Sequence, residues 1–212
     1  YPELSNREYK TAAKVAKHLT DLGLEVKTDI AYTGVVAILQ GGKPGPMVAL
    51  RADMDGLPVK EMTGLPFASK EIDTYNGQEV GVMHACGHDA HVAILMGVAE
   101  FLTSIQKDLT GSVMFIFQPA EEGPPVGEGG GAQLMLEEGI WKDKKPDVVF
   151  GLHVTNAAHG LIAYREGAAM AAADPWKIII KGRQAHGSRP WDSIDPIMVA
   201  FQMGNNFQTI IS

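Results

Sequence analysis

Apolar and polar residues follow two different periodicities along the chain, one typical of helices and one typical of strands. Ser5 and Glu8 have the spacing of a capping box ahead of an amphipathic helix, and Gly23 follows where a glycine would end that helix. A second helix is predicted to begin near His88, a short one at residues 133–138, and a last one at residues 195–211. These four segments carry apolar residues at helical spacing.

Short apolar runs between the helices predict strands at residues 25–30, 35–40, 47–53, 112–118, 148–152 and 176–181. Strands that alternate with helices are typical of a layered α/β domain, so we predict a mainly parallel sheet flanked by helices. The texture of the sequence changes after an alanine-rich stretch. We therefore place a domain boundary near Ala173, with one domain at residues 1–173 and the start of another at residues 174–212.

Charge and cysteine content restrict the partners that the chain can have. It carries 18 Lys and Arg against 25 Asp and Glu, a formal net charge of −7, and no basic run, so nucleic acid is not an expected partner. The apolar stretch at residues 92–99 is far shorter than the ~20 residues of a membrane span, so no membrane partner is expected either. Cys86 is the only cysteine, which excludes an intrachain disulfide.

Residues that can bind metals follow three predicted strands and open the second long helix. In open α/β sheets, ligands bind beyond the carboxyl ends of the strands, so these side chains are expected to converge. Each residue alone has an ordinary structural interpretation, but their coincidence at four independent places favours a site. The candidates, in chain order, are Asp53, Asp55, Cys86, His88, Asp89, His91, Glu121, Glu122 and His153.

The chemistry of this set favours metal-assisted hydrolysis. Thiolate, imidazole and carboxylate together suit zinc, and a set richer in carboxylate or imidazole suits manganese or cobalt. Adjacent glutamates such as Glu121 and Glu122 can divide two roles, one binding metal and the other acting as general base toward water. A metal lowers the pKa of bound water from ~15.7 to about 7.

Five motifs together resemble one protein family. They are YPELS at residues 1–5, ALRADMDGLP at 49–58, MHACGHDAH at 83–91, QPAEEG at 118–123 and GLH at 151–153. The chain is similar to the metal-dependent amidohydrolases that include aminoacylase-like, hippurate and indoleacetyl-amino-acid hydrolases, within the aminoacylase and glutamate carboxypeptidase superfamily. The resemblance implies a two-metal exopeptidase-like catalytic domain that hydrolyses the amide bond of N-acyl amino acids or related small amides.

The resemblance also implies roles for individual residues. Two divalent ions, zinc or manganese with cobalt as a further candidate, would be bound by Cys86, His88, Glu122 and His153, with the thiolate bridging the ions. Glu121 would be the general base. Asp53 would lie behind the site and orient it.

A second part of the resemblance concerns residues 182–190, which are similar to a loop of the family's inserted α+β lid or dimerisation domain. It implies a homodimer formed through the lid, in which His186 reaches the active site of the partner subunit. The family has a fifth metal ligand beyond the end of this sequence, so we expect the chain to hold four of five ligands and to be inactive alone. We expect a cytoplasmic protein, with secretion left open because the sequence begins without Met.

Two other functions remain open at this point. Cys86 at a helix amino terminus could be the nucleophile of a cysteine hydrolase, because a helix amino terminus lowers a thiol pKa. That hypothesis leaves Glu121, Glu122 and Asp53 without a role. A non-catalytic metal-binding or dimerisation module is the other alternative, and it has no need of a general base.

Overall fold

In the computed structural model, five strands form a mixed sheet: β1 (Glu25–Ile30), β2 (Gly34–Gln40), β3 (Lys43–Asp53), β6 (Thr110–Gln118) and β7 (Val148–Gly151). Their spatial order is β1-β2-β6-β3-β7. Strands β6, β3 and β7, which lead from the centre of the sheet to one edge, run parallel. Strand β2 pairs antiparallel with β1 and with β6. The predicted α/β class is confirmed, but the sheet is mixed rather than mainly parallel. Residues 31–33 are too short for the crossover that parallel strands require, so β1 and β2 form a hairpin.

Helices cover both faces of this sheet. Helices α1 (Tyr9–Asp21) and α2 (His88–Ser104) pack on one face, and α3 (Gly131–Glu137) packs on the other. Strand β6 supplies both cores, because successive side chains of a strand point to opposite faces. Phe115 and Phe117 are buried beneath α1 and α2, while Met114 and Ile116 are buried on the α3 side.

A small antiparallel hairpin lies outside the main sheet and was not among the predicted strands. It consists of β4 (Ile72–Tyr75) and β5 (Gln78–Gly81). Asn76 and Gly77 join the two strands, both with positive φ, at 50° and 79°. This pair of residues favours the tight turn of a two-residue hairpin, so the signal was present, although the flanking strands have few apolar residues.

The structure describes residues 1–172 and 176–210, which form two compact units, Tyr1–Ala157 and Ala158–Ser212. The boundary predicted at residue 173 lies outside the described residues, so the division at 173 and 174 stays a prediction. In the second unit, helix α4 spans Pro196–Phe207, and Asp195 caps it by accepting a hydrogen bond from the Ile197 amide. The helix was predicted to continue to Ile211, which lies outside the described residues, but it ends at Phe207 and residues 208–210 form a turn.

The strand predicted at residues 176–181 is absent from the described part of the second unit. Apolar residues favour a strand there, but a strand is stabilised by hydrogen bonds to a neighbouring strand. Within the described residues of this unit, the pairing is limited to one bridge between Arg183 and Ile194. The prediction was wrong because the local sequence does not supply the partner.

Among the described residues, no helix is both long and apolar enough to cross a membrane.

The start of α1 differs from the predicted capping box. Glu3, not Ser5, provides the cap: its carboxylate accepts hydrogen bonds from the amides of Lys10 and Thr11. Ser5 and Glu8 are buried and bond to other segments of the chain. The prediction was wrong because the interior offers both residues stronger partners than the helix end does. Gly23, with a φ of 81°, follows α1 as predicted.

Glu8 is a buried carboxyl group whose ionisation affects stability. Burial raises its pKa to about 7, against the lowering effect of hydrogen bonds from Thr33 and from the Ala120 amide. A carboxyl with a raised folded-state pKa stabilises the fold most below its unfolded value of 4.5, and this contribution is lost as the pH rises through 7.

We therefore predict that Glu8→Gln, which stays neutral, becomes more stable relative to the parent protein as the pH rises from 5 to 8. Between pH 5 and pH 8 the gap in stability should grow by about 2.5 kcal/mol, because most of the shift of the Glu8 pKa from 4.5 to about 7 falls in this range and one pKa unit corresponds to about 1.4 kcal/mol. Melting temperatures of the full-length proteins at both pH values provide the measurement. Glu138→Gln alters an exposed carboxylate that also accepts a backbone amide, that of Ala31, and serves as the control. A gap between Glu8→Gln and the parent that is the same at both pH values would contradict the prediction.

Candidate metal centre

The parallel strands bring three chain segments to one edge of the sheet. The register pairs Asp53 of β3 with Gln118 of β6, and Arg51 of β3 with Gly151 of β7. The segments that follow β6 and β7 therefore leave the sheet beside the end of β3. The start of α2 packs against the same edge. This arrangement places the predicted candidates from all four segments in one cluster.

His88 lies at the centre of the cluster. Its ring is fully buried, and its Nδ1 lies 3.1 Å from Asp55 Oδ1. Its Nε2 lies 3.7 Å from Asp53 Oδ2 and 3.8 Å from a carboxylate oxygen of each of Glu121 and Glu122. Among the described residues, Nε2 is a buried nitrogen with no hydrogen-bond partner.

These distances fit a cation beside His88 Nε2. A buried polar atom without a partner is costly, and so is a group of carboxylates that repel one another. A positive charge among them offsets both costs. The same negative surroundings act on the imidazole itself: burial alone would lower the pKa of His88, but the hydrogen bond to Asp55 and the charge of Asp53 outweigh burial and raise it.

Cys86 and His153 form the exposed side of the cluster. The Cys86 Sγ lies 3.3 Å from His153 Nε2. His153 Nδ1 lies 2.6 Å from the Val154 carbonyl oxygen, which can only accept, so Nδ1 carries the proton and Nε2 presents its lone pair to the cluster. Burial, followed by the neighbouring carboxylates Glu122 and Glu121, raises the pKa of the Cys86 thiol to about 11. The thiolate therefore forms only with a cation nearby.

Two groups of donors share His88. The donor atoms of Cys86, His88 and His153 all lie within 4.8 Å of one another, and so do those of His88, Glu121 and Glu122. Thiolate, imidazole and carboxylate are the donors that zinc accepts. Both groups therefore have the donor chemistry of a divalent-metal site, and both include His88.

A third group, formed by Asp53, His88 and His91, is different because His91 uses both of its ring nitrogens. The Val154 amide donates to His91 Nε2 over 2.9 Å, so Nδ1 carries the proton and donates to Asp53 Oδ1 over 2.6 Å. Asp53 Oδ2 accepts from Arg51 over 2.6 Å. Burial would raise the pKa of Asp53, but the bond from His91 and the charge of Arg51 outweigh it and lower the pKa. Asp53 and His91 therefore form a hydrogen-bonded support beside His88.

Glu121 and Glu122 follow a strained turn, since Ala120 is buried with a φ of 48°. The Glu122 amide donates to Asp55 Oδ2 over 3.0 Å, which fixes the backbone between the two carboxylates. In the described part of the chain, the Glu121 carboxylate accepts no hydrogen bond. Burial raises its pKa, and so do the charges of Asp53 and Glu122, against the lowering effect of Arg51 and His88.

Six of the seven site residues predicted from the sequence meet in this cluster: Asp53, Cys86, His88, Glu121, Glu122 and His153. The roles given to them remain predictions. The seventh, His186, lies in the second unit on an exposed loop, where its Nδ1 lies 2.8 Å from Ser188 Oγ and accepts from the Ser188 amide. Its predicted role at a partner's active site stays a prediction.

Asp55 and His91 were candidates in the sequence, but no roles were predicted for them. The structure shows two carboxylate–imidazole pairs: Asp53 contacts His91, and Asp55 contacts His88. Carboxylates at i and i+2 lie on one side of an extended segment, and histidines at i and i+3 lie on one face of a helix. The two spacings together are the signal that could have predicted the pairs.

The pattern of the peptidase family M20/M25/M40 matches residues 49–202, more than half of the chain. The chain belongs to this family. The resemblance drawn from the motifs is therefore confirmed, and the M20/M25/M40 membership makes the chain part of a hydrolase family.

Individual relatives agree with this membership. The chain is 46% identical over 207 residues to thermostable carboxypeptidase 1 of Saccharolobus solfataricus, covering 97% of this chain and 49% of that protein. It is 42% identical over 213 residues to N-acetyl-L-cysteine deacetylase of Bacillus subtilis, covering 100% of this chain and 48% of that protein. The structure of the Bacillus subtilis YXEP protein, a dinuclear metal binding peptidase from the M20 family, matches with a TM-score of 0.62 and 40% identity, covering 73% of this chain and 39% of that one.

The chain thus spans about half the length of the curated M20 relatives that it matches.

Gly87 lies between Cys86 and His88 and has a φ of 83°. A Cβ at this position would lie 2.3 Å from Val154 Cγ2, next to His153. An alanine would strain the backbone by roughly 1–2 kcal/mol and push the two segments of the site apart. Gly97, within α2, is an exposed glycine whose Cβ would meet nothing within 4 Å.

We predict that Gly87→Ala lowers the stability of the full-length protein by about 1–3 kcal/mol and reduces the zinc retained per chain. Gly97→Ala is the matched control and is expected to stabilise the helix by up to about 1 kcal/mol, because alanine favours helices over glycine. Thermal unfolding and metal analysis after gel filtration give the two values. Equal behaviour of both variants would contradict the proposed fit at Gly87.

Proposed function

We propose that the protein is a metal-dependent amidohydrolase that hydrolyses the amide bond of N-acyl amino acids or related small amides. The observation that carries the proposal is the buried His88 Nε2, which lacks a hydrogen-bond partner in the described residues and faces three carboxylates. The names of the M20 relatives support the substrate class, because a deacetylase of N-acetylcysteine and a carboxypeptidase both cleave amide bonds next to an amino acid.

Cys86, His88, Glu122 and His153 would hold two divalent ions. Zinc fits the mixed donor set, and manganese or cobalt fits its carboxylates and imidazoles. The described hydrogen bonds support these ligand roles. Asp55 contacts Nδ1 of His88 and the Val154 carbonyl oxygen contacts Nδ1 of His153, which leaves Nε2 of each ring to bind a metal. When bound, the ions supply a water molecule of lowered pKa and polarise the amide carbonyl.

Glu121 is the proposed general base. Its carboxylate is partly exposed and has no hydrogen-bond partner in the described residues, so it can accept a proton from water and deliver it to the leaving nitrogen. Its raised pKa suits this exchange, because it makes the carboxylate a stronger base and moves its pKa toward the neutral pH at which general acid–base catalysis is most efficient. Asp53 and Asp55 act behind the site by holding His91 and His88.

The surroundings of Cys86 disfavour the cysteine-nucleophile alternative. A nucleophilic thiolate needs nearby positive charge, a base, or both. His153 Nε2 lies close enough to act as a base, at 3.3 Å from Sγ, but burial and the carboxylates beside Cys86 raise the thiol pKa to about 11 and so oppose formation of the thiolate. A non-catalytic metal-binding module is also disfavoured, since such a module gives no reason for the free carboxylate of Glu121 beside the donors.

The lid resemblance extends the proposal to the assembly. We propose a homodimer in which residues 182–190 belong to the lid and His186 acts at the partner subunit's site. The imidazole would stabilise the negative charge that develops on the amide oxygen during attack. Within its own unit, His186 is exposed, and its Nε2 carries the proton because Nδ1 accepts from the Ser188 amide. That Nε2–H is the donor which such a role requires.

Substitution of the two adjacent glutamates tests the mechanism. In the full-length protein, Glu121→Gln should keep its metal content and lose about 10²–10⁴-fold in kcat, the usual contribution of a general base. Glu122→Gln should lose metal affinity. Both are measured on a panel of N-acyl amino acids with zinc, manganese or cobalt added, together with metal analysis.

The control for both variants is Glu137→Gln, away from the site. Glu137 is the last residue of α3, is followed by a second glutamate, and accepts a hydrogen bond from Gln133. It should match the parent in both readouts. Loss of metal from Glu121→Gln, together with full metal and activity in Glu122→Gln, would reverse the assignment.

A further inference from the structure

Ser5 contacts the carboxylate that holds both His88 and Glu122. Its Oγ donates to Asp55 Oδ2 over 2.7 Å, in a buried hydrogen bond that spans 50 residues of sequence. The same Oδ2 accepts from the Glu122 amide, and Oδ1 faces His88 Nδ1. The rotation of the Asp55 carboxylate is therefore fixed by three donors. Of these, only the Ser5 hydroxyl comes from outside the proposed metal ligands.

Glu8 contacts the strained turn that precedes the two glutamates. Its Oε1 accepts from the Ala120 amide over 2.9 Å, and its Oε2 accepts from the Thr33 hydroxyl. Ala120 has a φ of 48°, in a region that alanine rarely adopts. Such strain persists only where surrounding contacts hold it, and the Glu8 carboxylate is the side chain that bonds to this amide.

The two residues between them reach the loop that follows the glutamates. The Asn6 side-chain amide donates to the Gly129 carbonyl oxygen over 2.9 Å, and Arg7 pairs with Glu128. Three consecutive residues, Asn6, Arg7 and Glu8, thus bond to segments on both sides of the two glutamates, and the preceding Ser5 bonds to Asp55. None of the four caps α1, because Glu3 binds the first helix amides instead.

We propose that Ser5 and Glu8 are positioning residues for the metal centre, Ser5 acting through Asp55 and Glu8 acting through the Ala120 turn. The proposal rests on the proposed function, since it assigns these residues to the same site. Loss of the Ser5 hydroxyl removes one of the three bonds that fix the Asp55 carboxylate, so the orientation of both His88 and Glu122 is held less firmly. Loss of a residue that orients a metal ligand typically lowers metal affinity 10–100-fold.

The test measures zinc affinity in the full-length protein by competition with a chelator, alongside kcat and KM for an N-acyl amino acid. Ser5→Ala is expected to weaken zinc binding by about 10-fold or more and to lower kcat with little change in KM. Ser104→Ala, which removes an exposed hydroxyl bonded to the Phe101 carbonyl oxygen, is the matched control and should match the parent.

Glu8 provides an independent arm of the same test. Glu8→Gln keeps an oxygen that accepts from the Ala120 amide, so its zinc affinity should stay within about twofold of the parent value. Glu8→Ala removes that acceptor and should weaken zinc binding as Ser5→Ala does. Circular dichroism checks that each variant is folded, and Ser5→Ala decides the matter if Glu8→Ala is not.

Parent-like zinc affinity in folded Ser5→Ala would overturn the proposal. So would equal losses of affinity in Glu8→Gln and Glu8→Ala, because the effect would then follow from charge or volume and not from the bond to Ala120. A parent protein that binds zinc but hydrolyses no N-acyl amino acid would contradict the proposed function alone. In that case the zinc affinities of the variants still decide the positioning role.

Discussion

The buried contact between Asp55 and His88 determines how the rest of the site is arranged. A carboxylate on Nδ1 of His88 fixes the tautomer and directs Nε2 toward Asp53, Glu121 and Glu122. Burial of several acidic groups around one imidazole is unfavourable unless positive charge is present. The fold therefore stabilises a cluster that requires a cation.

The sheet supplies the geometry that this contact needs. Strands β3, β6 and β7 run parallel, so their carboxyl ends lie at one edge, and α2 begins there with His88. These features were predictable from the sequence, because the apolar runs that form β3, β6 and β7 each lead into residues that can bind metal. Six predicted site residues meet in the structure for that reason, although they come from four distant segments.

Other features depend on contacts that local sequence does not encode. Ser5 and Glu8 have the spacing of a helix cap, but the interior offers them Asp55 and the Ala120 amide, and Glu3 caps the helix instead. The apolar run at residues 176–181 favours a strand, yet the described residues of its unit provide no partner for one. The antiparallel start of the sheet follows from the length of a loop and not from the apolar pattern. For the helix cap and for the apolar run, the presence or absence of a long-range partner decides the outcome.

The central claim is that His88 Nε2 binds a metal ion. Crystals of the full-length protein, saturated with zinc and measured on both sides of the zinc absorption edge, test it most directly. If His88 Nε2 binds zinc, we expect an anomalous peak at metal-bond distance from it, roughly 2.0–2.3 Å. We also expect the Cys86 thiolate to be a ligand of the zinc. A zinc-saturated crystal with no peak at this nitrogen, in which His88 Nε2 instead donates a hydrogen bond to Glu121 or Glu122, would contradict it.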